Sequence, residues 1–539
     1  MDRQDTHPSW WDGAVGYEIY VRSFADSGGD GIGDLPGIEG KLDHLAYVGV
    51  DAIWLTPFFP SPQADFGYDV ADYTDVDPTY GSLDDFDRLV AGAHDREMRV
   101  IVDLVPNHTS SQHPWFVAAV ENGPGSRFWD RYVWREPGPE DGPPNNWLSV
   151  FGGPAWTMEP TWGMYYLHLF HPKQPDLNWE NPEVHQEFKR IVRFWIERGV
   201  DGFRIDVAHA LYKHPSFADN PRHPEADEKS GHPTFRDYAH VHDLDQPNNV
   251  EVYRGWKIVA GPQVLLLGEV YLYPPHLVRR YVGDGALDLS FYFGLNQLDW
   301  DPEEFVRRIH HAAETIPSGW AWVQGSHDEH RNVSRYGGGD QGVERSMALW
   351  VALMGLPGMP FLYQGEELAL PNGTVHPRHV LDPAAAVSAD WGRDPCRTPM
   401  PWTTHPGHGF TEADTAWLVA DPRPEEQTVE HQLHRVDSPL SRIRALITAR
   451  RETSEARTGE VLWIEAKSGV LAFARGAVAH VANLTDEQAT VDVGEGWEVF
   501  HATGEMRLLG PDLTLAPRSG AILTRPTPRV AKVNGSPLS

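Results

Sequence analysis

Short apolar runs alternate with amphipathic segments, eight times over, as far as about residue 453, and no other feature limits the fold as tightly. The runs are VGYEIYVRSF, VDAIWL, RVIVDLV, VDGFRIDV, QVLLLGEV, ALDLSFYF, WAWVQGSHD and MPFLYQGEE, and they read as strands. The clearest helix covers 182–199, where Phe188, Ile191, Val192, Trp195 and Ile196 follow the i, i+3, i+4, i+7, i+8 spacing. Asn181 suits its cap, Pro182 its first turn and Gly199 its C′ position. A second helix opens at Ser82, a serine cap with an acid three residues on. Eight strand–helix units in series predict an α/β fold, a (β/α)8 barrel of TIM type.

Two interruptions and a tail complete the plan. Residues 109–180 are rich in Pro, Gly, Trp and Asn, and too long for a βα loop, so they are expected to form a small inserted domain over the barrel mouth after strand three. The barrel is then 1–108 and 181–454. Residues 212–262 hold the polar stretch KHPSFADNPRHPEADEKSGHP, expected to be a loose surface insertion rather than a lid. From about 455, VLWIEA, GVLAFAR, AVAHVANL and ATVDVG predict a C-terminal antiparallel β-sandwich reaching about residue 530, and 531–539 are expected to be disordered.

A net charge of −32 argues against nucleic acid and anionic membranes as partners. One cysteine, Cys396, rules out an internal disulfide. The opening MDRQDTHPSWWDG has no apolar core of a signal peptide, and no run of 18 apolar residues occurs, so a cytoplasmic location is expected.

Barrel sites lie at the C-terminal ends of the strands. There strand three carries Asp103, Asn107 and His108 in DLVPNH; strand four carries Arg204 and Asp206; strand five ends at Glu269; strand seven ends at His327 and Asp328. Along strand four, alternation puts Arg204 and Asp206 on the inner face and Phe203, Ile205 and Val207 on the outer. Three carboxylates from three strand ends converge on one small volume, a costly arrangement without chemistry to perform. Paired carboxylates across a bond are the equipment of glycoside hydrolysis. Arg204 beside Asp206 favours its anion, which suits a nucleophile. Glu269 follows an apolar run that raises its pKa, which suits a general acid. Asp328 is placed to stabilise developing positive charge, and His108 and His327 to donate to sugar hydroxyls.

The chain resembles the α-amylase family of glycoside hydrolases, family 13, and within it the α-glucosidase and oligo-1,6-glucosidase group; the matching motifs are DLVPNH, GFRIDVAH, GEVY, SHD and QPDLN at 174–178. The resemblance implies a retaining double displacement, with Asp206 as nucleophile, Glu269 as acid/base and Asp328 as transition-state stabiliser, and no cofactor for catalysis. It also implies that Asp65 and Tyr68 of ADFGYD, Phe170, and Arg397 of GRDPCRTPMPW line the glucose subsite. An Asp65–Arg397 pair would close its blind end and make the enzyme exo-acting. The loop DSGGDGIGD resembles a metal loop of the family, which implies Ca²⁺ held by Asp26, Asp30, Asp34 and the Ile32 carbonyl, although Gly28 stands where an asparagine is usual. Ser326 replaces another usual asparagine. Val207 follows the nucleophile position, where valine goes with α-1,6 activity. The implied substrates are short α-1,4-linked, and potentially α-1,6-linked, gluco-oligosaccharides such as maltose, with glucosyl transfer through the same intermediate. Trehalose synthases and sucrose-acting glucosyltransferases share these motifs and stay open. Non-catalytic transporter subunits of similar sequence lack the carboxylates and carry a membrane segment, unlike this chain. The oligomeric state stays open as well.

Overall fold

The structure is a computed structural model that describes residues 9–223, 234–386 and 392–525. All eight apolar runs become parallel strands of one closed barrel: Gly16–Ile19, Ala52–Leu55, Arg99–Leu104, Gly202–Ile205, Leu265–Gly268, Leu289–Tyr292, Trp320–Val323 and Met359–Tyr363. The first strand closes the ring by pairing with both the second and the eighth; Gly16 lies opposite Ala52 on one side and Phe361 on the other. A side chain at Gly16 would meet the Phe361 ring at 2.2 Å, so only glycine fits that inward position.

Strand alternation splits the apolar residues into two sets. Trp54, Ile101, Leu265, Leu267, Phe291 and Phe361 fill the barrel interior. Phe203, Ile205 and Leu266 face outward and pack with Phe188, Ile191 and Trp195 of the helix Pro182–Glu197. Each such side chain contributes about 1.5–3 kcal/mol by leaving water. The Asn181 side chain caps that helix, accepting from the Glu183 N–H at 2.9 Å, and Gly199 follows its end with φ +91°. Ser82 and Asp85 form a reciprocal capping box on Leu83–His94.

The insertion after strand three contains the helix Pro114–Asn122 and a three-stranded sheet ordered Trp134–Arg135, Met164–Leu167, Trp156–Glu159. Its returning segment is tied to the third strand's loop: Leu177 N–H donates to the Asn107 carbonyl at 2.9 Å, and His108 bridges Asp176. This sets QPDLN beside DLVPNH. The first part of the polar stretch at 213–233 is not loose. Trp147 Nε1 donates to the Ala218 carbonyl at 2.9 Å, Asn146 Nδ2 to the Asn220 carbonyl at 2.8 Å, and Phe217 stacks on Trp147. One apolar side chain within a polar run anchors it to the insertion; residues 224–233 lie outside the described residues.

After the barrel, a five-stranded sheet (Leu462–Trp463, Val470–Arg475, Val478–Asn483, Ser519–Thr524, Glu498–Ala502) faces a three-stranded one (Ala489–Asp492, Asp512–Leu515, Met506–Leu509). Val470, Val481, Val491, Leu513 and Leu523 form their shared core. The sandwich rests on the helix Gly339–Leu353, where His480 Nδ1 meets the Val351 carbonyl at 2.8 Å. The predicted disordered tail lies outside the described residues. Among those residues no helix is long and apolar enough to cross a membrane.

Candidate active site

One guanidinium organises the first side of the pocket. Arg204 Nη1 lies 3.0 Å from Asp103 Oδ1 and 2.7 Å from Asp206 Oδ1, and its Nη2 lies 3.0 Å from Glu269 Oε2. The three acids come from strands three, four and five, and parallel register brings them level. Asp206 N–H reaches the Leu104 carbonyl, and Glu269 N–H the Ile205 carbonyl, each at 2.9 Å. Arg204 is 2 % exposed and its guanidinium lies over the Trp54 ring, so its charge is desolvated and fixed in place.

Strand four ends at Ile205, and two residues on Val207 has φ +43°, an uncommon conformation for a β-branched residue. That turn aims the Val207 N–H at Glu269 Oε2, 2.8 Å away. It also corrects the simple alternation: the Val207 side chain leaves the outer face of Phe203 and Ile205 and joins Val133, Trp147 and Leu167 of the insertion. Backbone of this kind costs on the order of 1–3 kcal/mol and persists where surrounding contacts enforce it.

The ionisation pattern differs from the expectation. Burial pushes Asp206 well above the usual carboxylate range; Arg204 opposes this, while Glu269 and Asp103 add to it. Burial also raises Glu269, with Asp328 adding to the rise, and lifts Asp103 to about 6. Arg204 does touch Asp206, but it is shared among three buried acids, and one positive charge does not hold three down.

On the opposite side two guanidinium groups reach one carboxylate. Asp328 Oδ1 receives Arg397 Nη2 at 2.7 Å and Arg393 Nη1 at 3.0 Å, and Asp328 Oδ2 lies 3.2 Å from His327 Nε2. Burial alone would raise Asp328, yet His327, Arg393, Arg397 and Arg204 hold it well below the usual range. The Ser326 hydroxyl accepts from the Asp328 N–H at 3.2 Å. Asp328 keeps 35 % and Glu269 15 % of its side chain exposed, whereas Asp103 keeps none. The first two therefore face the mouth, while Asp103 braces Arg204 from behind.

Asp65 does not pair with Arg397. Its Oδ1 meets Arg393 Nη2 at 3.1 Å and its Oδ2 accepts from Gln174 Nε2 at 3.2 Å; burial lifts it to about 6. Arg397 instead spends its Nε on the His327 carbonyl at 2.7 Å and its Nη2 on Asp328. Arg393, four residues earlier in the same turn, bridges Asp65, Asp328 and the buried Asp382. Tyr68 donates to Asp103 at 3.1 Å and stacks on His327. His108 sits between Asn107 and Gln174 with Phe170 5.2 Å from its ring, and burial lowers it to about 4.

Sequence reasoning missed Arg393, Gln174 and Glu18. Each left a trace: a second arginine in GRDPCRTPMPW, the first residue of QPDLN, and an acid at an inward position of an otherwise apolar strand.

The glycine-rich loop folds its three aspartates onto its own backbone. Asp26 accepts from the Gly29 and Gly31 N–H groups at 2.7 and 2.8 Å, Asp30 from Ile32 N–H at 2.9 Å, and Asp34 from Ser27, Gly28 and Gly37 N–H groups. Asp34 also caps the helix Leu35–Glu39. Each carboxylate thus serves its own glycine-rich backbone. Among the described residues no group of three or more His, Cys, Asp or Glu is arranged to hold a metal.

Proteins of known family match the chain over most of its length. A probable alpha-glucosidase of Rhizobium meliloti is 40 % identical over 505 residues, covering 90 % of this chain and 91 % of that protein. An oligo-1,6-glucosidase of Heyndrickxia coagulans is 35 % identical over 482 residues, covering 82 % and 85 %. The crystal structure of an alpha-glucosyl transfer enzyme superposes with a TM-score of 0.90 at 37 % identity, covering 96 % of this chain and all of that one. The family model for the alpha amylase catalytic domain matches residues 18–459, which take in nearly all of the barrel and every carboxylate of the pocket, and the chain therefore belongs to the α-amylase family of glycoside hydrolases.

Proposed function

We propose that the protein is a retaining, exo-acting α-glucosidase that removes single glucose units from short α-linked gluco-oligosaccharides such as maltose, and transfers glucose when a sugar acceptor replaces water. The observation that carries this reading is the shared hold of Arg204 on Asp206 at 2.7 Å and on Glu269 at 3.0 Å. Two carboxyls on one guanidinium suit the separation of about 5–5.5 Å used for retention, rather than the wider gap of inverting enzymes.

Asp206 attacks the anomeric carbon as Glu269 protonates the departing oxygen, giving a glucosyl ester on Asp206. Glu269 Oε2 already accepts from Val207 N–H and Arg204, which leaves Oε1 to carry the proton. Glu269 then deprotonates water or an acceptor hydroxyl, which displaces Asp206 with net retention. Asp328, kept ionised by its cations, stabilises the positive charge that develops on the ring. Asp65, Arg393 and Gln174 close the far end, so only a terminal glucose fits. The oligo-1,6-glucosidase relative supports action on α-1,6 links too, and the transfer-enzyme neighbour supports transglucosylation.

The test is incubation with maltose, isomaltose, trehalose and sucrose while products are followed by NMR. The expected first product of hydrolysis is α-glucose from maltose. Initial β-glucose would sink the retaining assignment, and conversion of maltose to trehalose, or of sucrose to an isomer, would replace hydrolysis with isomerisation.

A further inference from the structure

Glu18 lies on the first barrel strand, is 2 % exposed, and directs its Oε1 at both the Nδ1 and the backbone N–H of His327. The His327 ring lies between two tyrosines: Tyr68 on one side (centroids 5.6 Å, planes 6° apart) and Tyr20 on the other (5.6 Å, 16°). This sandwich fixes the plane of the imidazole. It fixes neither which ring nitrogen carries hydrogen nor which edge faces the mouth, because a half-turn of the ring preserves both stacks.

The partners at the two nitrogens settle the question. Nε2 lies 2.9 Å from the Tyr68 oxygen and 3.2 Å from Asp328 Oδ2. The Tyr68 hydrogen is committed to Asp103. Both groups at Nε2 therefore offer lone pairs, and Nε2 must carry hydrogen. At Nδ1 a single proton lies between the ring and Glu18, whether it belongs formally to the acid or to the imidazole. Burial raises Glu18 well above the usual carboxylate range and lowers His327 to about 3, which places that proton on the acid.

We infer that Glu18 is a positioning residue: it holds His327 with Nε2–H turned into the pocket, as a fixed donor to the bound sugar and to Asp328. This rests on the reading above that a sugar occupies the pocket. It predicts that a neutral donor at position 18 suffices, whereas an apolar side chain there leaves Nδ1 without its partner and the ring free to turn over between its two tyrosines.

The test compares Glu18→Gln with Glu18→Leu. Glu18→Leu is expected to lower kcat on maltose by roughly 100-fold with KM little changed, the scale of misdirecting one oriented group. Glu18→Gln, whose amide N–H can meet Nδ1, is expected to recover most of that loss. In a His327→Ala background, Glu18→Leu is expected to cost almost nothing further. Equal losses for Gln and Leu, or additivity with His327→Ala, would overturn the assignment. Thermal melts identify a variant that merely fails to fold; if Leu does, Glu18→Met takes its place. ¹⁵N NMR of histidine-labelled protein without substrate reads the tautomer directly. A hydrogen on Nε2 and a hydrogen-bonded Nδ1 are expected in the wild type, and loss of the bond at Nδ1 in the apolar variant. A wild type lacking hydrogen on Nε2 refutes the positioning role even if turnover follows the proposed mechanism, and a correct tautomer in a protein that hydrolyses none of the sugars faults the functional reading instead.

Discussion

The two sides of this pocket use the same residue types in opposite proportions. On the Asp206 side one arginine serves three buried carboxylates, and all three are raised. On the Asp328 side two arginines and a histidine surround one carboxylate, which is held well below the ordinary range. Asp328 is the most exposed of these acids, at 35 % of its side chain, and two guanidinium groups reach it, so partial access to water and direct cation contact together keep its proton off. The contrast matches the roles of Glu269 and Asp328 but not that of Asp206, which is raised beside Glu269 and attacks in its ionised form. A group that must carry a proton and release it belongs where charge is scarce, and a group that must stay anionic beside a developing cation belongs where cations are plentiful.

The largest effect should come from the cation-poor side. Asp206→Ala is expected to lower kcat on the order of 10⁴-fold or more while thermal melting stays near wild type; substantial remaining turnover would remove Asp206 from the nucleophile role. Next, Arg393→Ala tests the cation-rich side. It strips one guanidinium from Asp328 and, among the described residues, the only arginine contact of Asp65, and kcat/KM on maltose should fall about 10²–10³-fold. A loss of less than threefold would mean that Arg397 alone holds Asp328.

The pH profile sharpens the same contrast. Asp65 and Asp103 sit at about 6, and Asp206 is raised as well, so acidification through about 6 protonates groups needed as anions. The acid limb of kcat/KM should accordingly lie above the usual carboxylate range. Arg393→Ala removes a charge that holds Asp65 down, so its limb should move to higher pH; a limb near 4 in both proteins would contradict the cation-count argument. The smallest effect concerns linkage. Val207→Thr alters one contact beside the reacting bond, and the ratio of kcat/KM for maltose over isomaltose should change by less than about tenfold.

The parts that could be read from the sequence share a physical basis. Buried strands advertise themselves as short apolar runs, so all eight barrel strands were legible, as were the caps Asn181 and Ser82, whose hydrogen bonds reach only two or three residues. Strand-end acids stand out because charge next to an apolar run is rare. Pairings between distant segments were harder. The motif of Asp65 points to the pocket, but its partner is Arg393 and not Arg397, because the turn Asp394–Cys396 rotates one arginine toward Asp65 and the other toward the His327 carbonyl. The aspartates of the glycine-rich loop resembled a metal site, and only the folded loop shows their oxygens taken by neighbouring N–H groups.

By itself, then, the sequence determined which segments become strands, which carboxylates reach the strand ends, and hence the class of chemistry. These follow from periodicity and side-chain type, which are local. Only the tertiary structure decided how charge is apportioned: which arginine serves which acid, that Val207 swings out of the strand pattern toward the insertion, and that Glu18 reaches across to His327, 309 residues away. Electrostatic energy inside a protein depends on distances of a few ångströms and on burial, and neither is set until remote segments have packed together.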